Sequence, residues 1–132
     1  MSYNLKITGQ NLPIADFRSS DPYFKIIVDN DKKYESEYIE KNLNPVWAPL
    51  EVHAPASVLK FGGNGSAFYI ADHDVLVTVE VWDKDGLSKD DFMGKIVLPL
   101  KRMLETGVHD LMDKKGRPVK NKQTSRLSIQ VL

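Results

Sequence analysis

Val75-Leu76-Val77-Thr78-Val79-Glu80-Val81-Trp82 sets a valine at every second position through the full length of a strand. Successive side chains of an extended chain point to opposite faces. Val75, Val77, Val79 and Val81 therefore line one apolar face, with Leu76, Thr78, Glu80 and Trp82 on the other. The same period of two recurs on either side of this stretch. Leu5 and Ile7 alternate with Asn4, Lys6 and Thr8; Phe24, Ile26 and Val28 alternate with Tyr23, Lys25, Ile27 and Asp29. Near the end of the chain, Leu127, Ile129 and Val131 alternate with Ser128 and Gln130. Weaker strand patterns cover 33–39, 47–53, 92–98 and 109–112. About eight short strands parted by Gly, Pro, Asn and Asp clusters predict an all-β fold, an eight-stranded antiparallel β-sandwich. Residues 100–105 suit a helical turn, 113–116 a tight turn and 117–125 a polar loop. With no internal repeat and no linker, residues 1–132 read as one domain.

Composition narrows the function. Hydrophobic residues make up 42% and charged residues 27%, a globular balance that argues against a disordered chain. Eighteen Lys and Arg match eighteen Asp and Glu, so no global field draws nucleic acid, and none is expected as a partner. The absence of cysteine excludes a disulfide scaffold, a zinc finger and thiol catalysis. The longest apolar run, Ala67-Phe-Tyr-Ile-Ala71, is far short of the roughly 20 residues that a spanning helix needs. Ser2, Asn4 and Lys6 interrupt any signal-like region, and Ser2 stands where N-myristoylation requires glycine. A soluble, cytoplasmic domain is expected.

One stretch is irregular. Residues 54–73 are longer than a sandwich connection needs and contain a flexible tip, Phe61-Gly-Gly-Asn-Gly65, before the apolar Phe68, Tyr69 and Ile70. An inserted hairpin packing on the sandwich is the favoured expectation; a binding loop or a partner-facing flap is the alternative.

Carboxylates gather in two places. Asp83, Asp85, Asp90 and Asp91 crowd the loop after the 75–82 strand, while Asp16 and Asp21 bracket the loop after the first strand. Four acids within nine residues repel one another unless a hard cation sits among their oxygens. Calcium takes roughly six to eight oxygen ligands in flexible geometry, which suits loop carboxylates better than magnesium's strict octahedron. Any one of these aspartates could equally serve its own turn, because its side chain readily bonds a nearby backbone amide. The spacing does not match the EF-hand loop, which ends in Glu between two helices.

Five motifs occur in order: Asn11-Leu-Pro13, Ser20-Asp-Pro-Tyr-Phe-Lys25, Asn44-Pro-Val-Trp47, Val81-Trp-Asp-Lys-Asp85 and Asp91-Phe-Met-Gly94. Together they resemble the C2 domain family, and the resemblance covers essentially the whole chain. It implies a sandwich with calcium-binding loops at one end. The opening strand and the closing strand at 125–132 imply the family's type II strand order. The resemblance also implies a calcium site of five aspartates from two loops: Asp16, Asp21, Asp83, Asp85 and Asp91. The last three keep the family spacing, and Asp21 stands in the Ser-Asp-Pro-Tyr motif. Asp16 departs from the pattern, because the interval to Asp21 is one residue short and holds no glycine. Either the loop reaches the same geometry differently, or one of two calcium positions is weakened. Asp90 is expected to be an extra acid pointing to water.

From this resemblance follows calcium-dependent binding to anionic, phosphatidylserine-like membranes. Without metal, the acidic loops are repelled by the anionic cytoplasmic leaflet; two bound calcium ions nearly cancel that charge and leave positions for lipid phosphate oxygens. The protein is then expected to be cytoplasmic and recruited to membrane when calcium rises. Phe17 and Leu87 are placed for apolar insertion, and Arg18 and Lys89 for phosphate. Lys32, Lys33 and Lys41 are weak phosphoinositide candidates; Glu35, Glu37 and Glu40 dilute them, so a solvated sheet face is the better expectation. Trp47, Pro45 and Pro22 read as structural. The alternative function is a calcium-independent protein-interaction module, with a partner docking on the 54–73 insertion. No enzyme is expected: there is no G-x-S-x-G, G-x-G-x-x-G or P-loop, and His53, His73 and His109 are scattered. Asp72-His-Asp74 makes a poor metal site, since in a strand His73 would point away from both acids.

Overall fold

The computed structural model describes residues 2–14 and 20–132. The valine stretch forms the strand that anchors one sheet, β7 (Leu76–Asp83), flanked by β2 (Pro22–Val28) and β8 (Asp91–Pro99), with β3 (Asp31–Glu35) beyond β2. In register, Val81 lies opposite Phe24 and Gly94, and Val79 opposite Ile26 and Ile96. Val77, Val79 and Val81 are buried, whereas Thr78, Glu80 and Trp82 on the other face stay half-buried. That is the two-faced strand predicted from the alternation.

The second sheet centres on β1 (Ser2–Gln10), which pairs on one side with β12 (Arg126–Val131) and on the other with β4 (Leu50–His53). β9 (Gly107–Asp110) extends it beyond β12. Leu5, Ile7, Leu50, Val52, Leu127 and Ile129 face the other sheet's Phe24, Ile26, Val28, Val77, Val79 and Val81 in one continuous apolar cluster. Two sheets packed face to face about 10 Å apart bury their inner faces in this way. Trp47 closes the core edge-on to Phe24, with ring centroids 5.0 Å apart, and its indole N–H donates to the Pro22 carbonyl at 3.1 Å.

Residues 54–73 build the favoured hairpin. β5 (Val58–Phe61) pairs with β4, and β6 (Phe68–Tyr69) pairs with β5, so the insertion lengthens the sheet. Leu59, Phe61 and Ile70 enter the core. Among the described residues the two sheets therefore hold ten strands rather than eight, the two extra ones coming from this insertion. β10 (Lys120–Asn121) and β11 (Gln123–Thr124) make a separate ribbon inside the expected polar loop. The helical turn is α1 (Leu100–Met103), whose Leu100 and Met103 cap the core.

Three weak strands have different bounds from those expected, each for a local reason. β4 starts at Leu50 because Pro49 has no N–H to extend the ladder. β3 stops at Glu35 because the next residue, Ser36, accepts the Phe24 amide through its side-chain hydroxyl at 2.8 Å instead of through the backbone ladder. β9 ends at Asp110, after which Leu111 turns into the core and Met112 exchanges two 2.8 Å backbone bonds with Lys95 of the opposite sheet. That crossing accounts for Gly94. Its φ is +149°, and a Cβ there would lie 2.5 Å from the Leu111 side chain.

Candidate functional site

Strand register brings the two acidic loops to one end of the sandwich. Pro22 at the start of β2, Asp83 at the end of β7 and Asp91 at the start of β8 stand opposite one another across three neighbouring strands. Asp21 precedes Pro22, so acids from both loops meet at one edge.

The first loop is pinned at both described ends. Asn11, at φ +53°, donates from its amide side chain to the Asn121 and Gln123 carbonyls of the ribbon, each at 2.9 Å. Leu12 is fully buried, and the Ser20 hydroxyl donates to the Pro13 carbonyl at 3.0 Å. Asp16, Phe17 and Arg18 lie outside the described residues.

Asp83 is only 3% exposed, and its Oδ1 accepts the Asp21 amide at 2.7 Å. Asp21 Oδ1 accepts the Lys41 amide at 2.8 Å, while its carbonyl accepts the Lys84 amide at 3.0 Å. This pair stitches the first loop to the second. Asp85 turns inward on its own loop: Oδ1 accepts the Leu87 amide at 2.9 Å and Oδ2 the Ser88 hydroxyl at 2.7 Å. Those two donors hold its carboxyl below the usual carboxylate range.

Asp90 does not point to water. Its Oδ1 accepts the Asp85 amide at 2.9 Å, its Oδ2 accepts the Tyr23 hydroxyl, and the Lys84 ammonium lies 4.0 Å away. The Asp85 amide foremost, then the Tyr23 hydroxyl, keep Asp90 ionised below the usual range. Burial, reinforced by Asp90, pushes the Tyr23 phenol above its ordinary value. Sequence reasoning thus missed Tyr23 and Ser88 at this end and turned Asp90 the wrong way. The available signal was their position, one inside Ser20-Asp-Pro-Tyr23 and two between Asp85 and Asp91.

The donors are all oxygen and carry several negative charges, a chemistry that suits a hard cation such as calcium and not zinc. Among the described residues, however, no three Asp, Glu or His side chains converge closely enough to hold a metal ion. Leu87 is fully exposed at the tip of the second loop, and Lys89 beside it is exposed. Lys32 pairs with Glu35 at 3.2 Å; Lys33 pairs with Asp31 at 3.0 Å and stacks 4.1 Å over the Phe68 ring. Lys41 is exposed near Asp21. In Asp72-His-Asp74, Asp72 caps its own turn through the Asp74 amide, and Asp74 pairs with Lys101 at 2.7 Å. Among the described residues no helix is long and apolar enough to cross a membrane.

Known proteins share this architecture. The chain is 35% identical over 94 residues to human Ras GTPase-activating protein 4B, an alignment covering 70% of this chain and 10% of that protein. It is 32% identical over 98 residues to the Arabidopsis thaliana protein C2-DOMAIN ABA-RELATED 11, covering 74% of this chain and 49% of that one. The chain thus spans between a tenth and about half of the length of these relatives. Among solved structures, one that spans two C2 domains of extended-synaptotagmin 2 superposes with a TM-score of 0.63 at 24% identity, over 98% of this chain and 39% of that one. A structure described as that of a C2 domain gives 0.62 at 22% identity, over 98% and 95%. At these identities the structures speak for the fold alone. The model of the C2 domain matches residues 5–116, and with five ordered motifs on a sandwich whose loops gather acids at one end, the chain belongs to the C2 domain family.

Proposed function

We propose that the protein is a calcium-dependent module for anionic phospholipid surfaces, with no catalysis of its own. The observation that carries this is the row of Pro22, Asp83 and Asp91 across three strands, which gathers Asp21, Asp83, Asp85 and Asp91 from two loops at one end. Calcium, when bound there, supplies positive charge to an otherwise acidic face and takes oxygen ligands. Asp21, Asp83, Asp85 and Asp91 are the residues to hold it, with Asp16 as the fifth. The Asp85 oxygens each accept one donor, from Leu87 and Ser88, and each keeps a further lone pair for a metal. Leu87 is positioned to enter the lipid interface and Lys89 to meet phosphate.

Co-sedimentation with phosphatidylserine-containing vesicles, in calcium and in chelator and against phosphatidylcholine controls, tests this. Pelleting with calcium and anionic lipid alone is the expected result, lost in the Asp83→Asn, Asp85→Asn double variant. Pelleting in chelator would turn attention to Lys32, Lys33 and Lys41. No pelleting in either condition would overturn the lipid function.

Tyr69 supports a second role. It is 86% exposed on the inserted hairpin, an open aromatic available to a protein partner without calcium. Phe68 is not equivalent, since it lies against Phe61 and under Lys33. Tyr69→Ser is therefore the variant that would abolish such capture while leaving folding intact.

A further inference from the structure

Tyr23 and Asp90 are outside the ligand set and yet fasten the 84–90 loop to the sandwich. Tyr23 sits on β2, 4% exposed, so its ring is held by the sheet. Its hydroxyl donates to one oxygen of Asp90, and the other oxygen accepts the Asp85 amide at 2.9 Å. The Lys84 ammonium, 4.0 Å from the same carboxylate, adds charge compensation. A rigid strand thus fixes an acid, and that acid fixes the backbone at Asp85.

We propose that the Tyr23–Asp90 pair is a positioning device for calcium, presetting the loop that presents Asp85 and Asp91. The inference rests on the calcium function above and deepens it. Four like charges within nine residues, in and beside this loop, repel one another in the absence of metal. Folding Asp90 back onto a neutral phenol, a backbone amide and Lys84 takes one of those charges off the outer face. It also orders the loop in advance, so less conformational freedom is lost when an ion binds. Partners that orient ligands from behind typically contribute roughly 10- to 100-fold to metal affinity.

Tyr23→Phe isolates the tether, because it removes one hydroxyl and leaves every formal charge in place. Calcium titration calorimetry on wild type and variant, with amide exchange at Asp85 followed by NMR in chelator, reads it out. The expected result is calcium affinity weaker on the order of tenfold, with faster Asp85 exchange in the metal-free protein. Unchanged affinity in Tyr23→Phe, with the wild type binding calcium, overturns the positioning role and leaves the calcium function standing. A wild type that binds no calcium overturns both. Should Tyr23→Phe fold poorly, Asp90→Ala is titrated at low and high salt. Salt screens the lost charge but not the lost tether, so a loss that persists at high salt supports the proposal and a loss that vanishes overturns it.

Discussion

His109 is the residue through which mild acid reaches the stability of the sandwich. Its Nε2 is buried and has no hydrogen-bond partner among the described residues. Burial first, and the Arg102 guanidinium second, push its imidazole below its ordinary value. The unfolded chain therefore binds a proton that the folded chain resists. The His109 contribution is whole above the unfolded value of about 6.5 and is lost as pH falls from there through the depressed folded value. Urea midpoints measured between pH 7.5 and 5 should fall in the wild type, and the slope should flatten in His109→Leu. Asp85 runs in the same sense much lower on the scale, because its bonds to Leu87 and Ser88 favour the carboxylate. Side-chain chemistry at these positions is thus set by neighbours that neither residue's type announces.

Among the elements, the inserted hairpin has one face in the core and the other in solvent. Leu59 on β5 is fully buried in the common core, while Tyr69 on β6 is 86% exposed. Leu59→Ala leaves a cavity and should cost about 2–5 kcal/mol in chemical denaturation. Tyr69→Ser should stay within about 0.5 kcal/mol of wild type. Comparable costs for the two would mean that the hairpin does not share the core. The hairpin also occupies Lys33, through the stack on Phe68, so one of the three basic candidates is committed to packing. At the other end of the molecule, the β10–β11 ribbon and Asn11 brace the first loop, which gives the Asn11-Leu-Pro13 motif its physical reason.

For the molecule as a whole, the calcium site proposed above ties stability to metal occupancy. An ion that binds only the folded state stabilises it by about 2.7 kcal/mol at a hundredfold excess over Kd. The melting temperature should therefore rise with calcium, return with chelator, and fail to shift in the Asp83→Asn, Asp85→Asn variant. A calcium-independent melting temperature in the wild type would count against the metal site. Alternation of Val77, Val79 and Val81 with Thr78, Glu80 and Trp82 determined the sandwich from sequence alone, because which face of a strand is buried is a local, period-two property. Residue type and spacing likewise determined that Asp83, Asp85 and Asp91 form one acidic loop and that Ser20-Asp-Pro-Tyr23 flanks another. Only tertiary structure decided that Asp83 is buried against the Asp21 amide, that Asp90 turns inward to Tyr23, and that 54–73 adds two strands to a sheet. Tyr23 and Asp90 lie 67 residues apart in the chain. Their meeting is set by the register of β2, β7 and β8, and register is fixed by packing both sheets on one core, which no local spacing encodes.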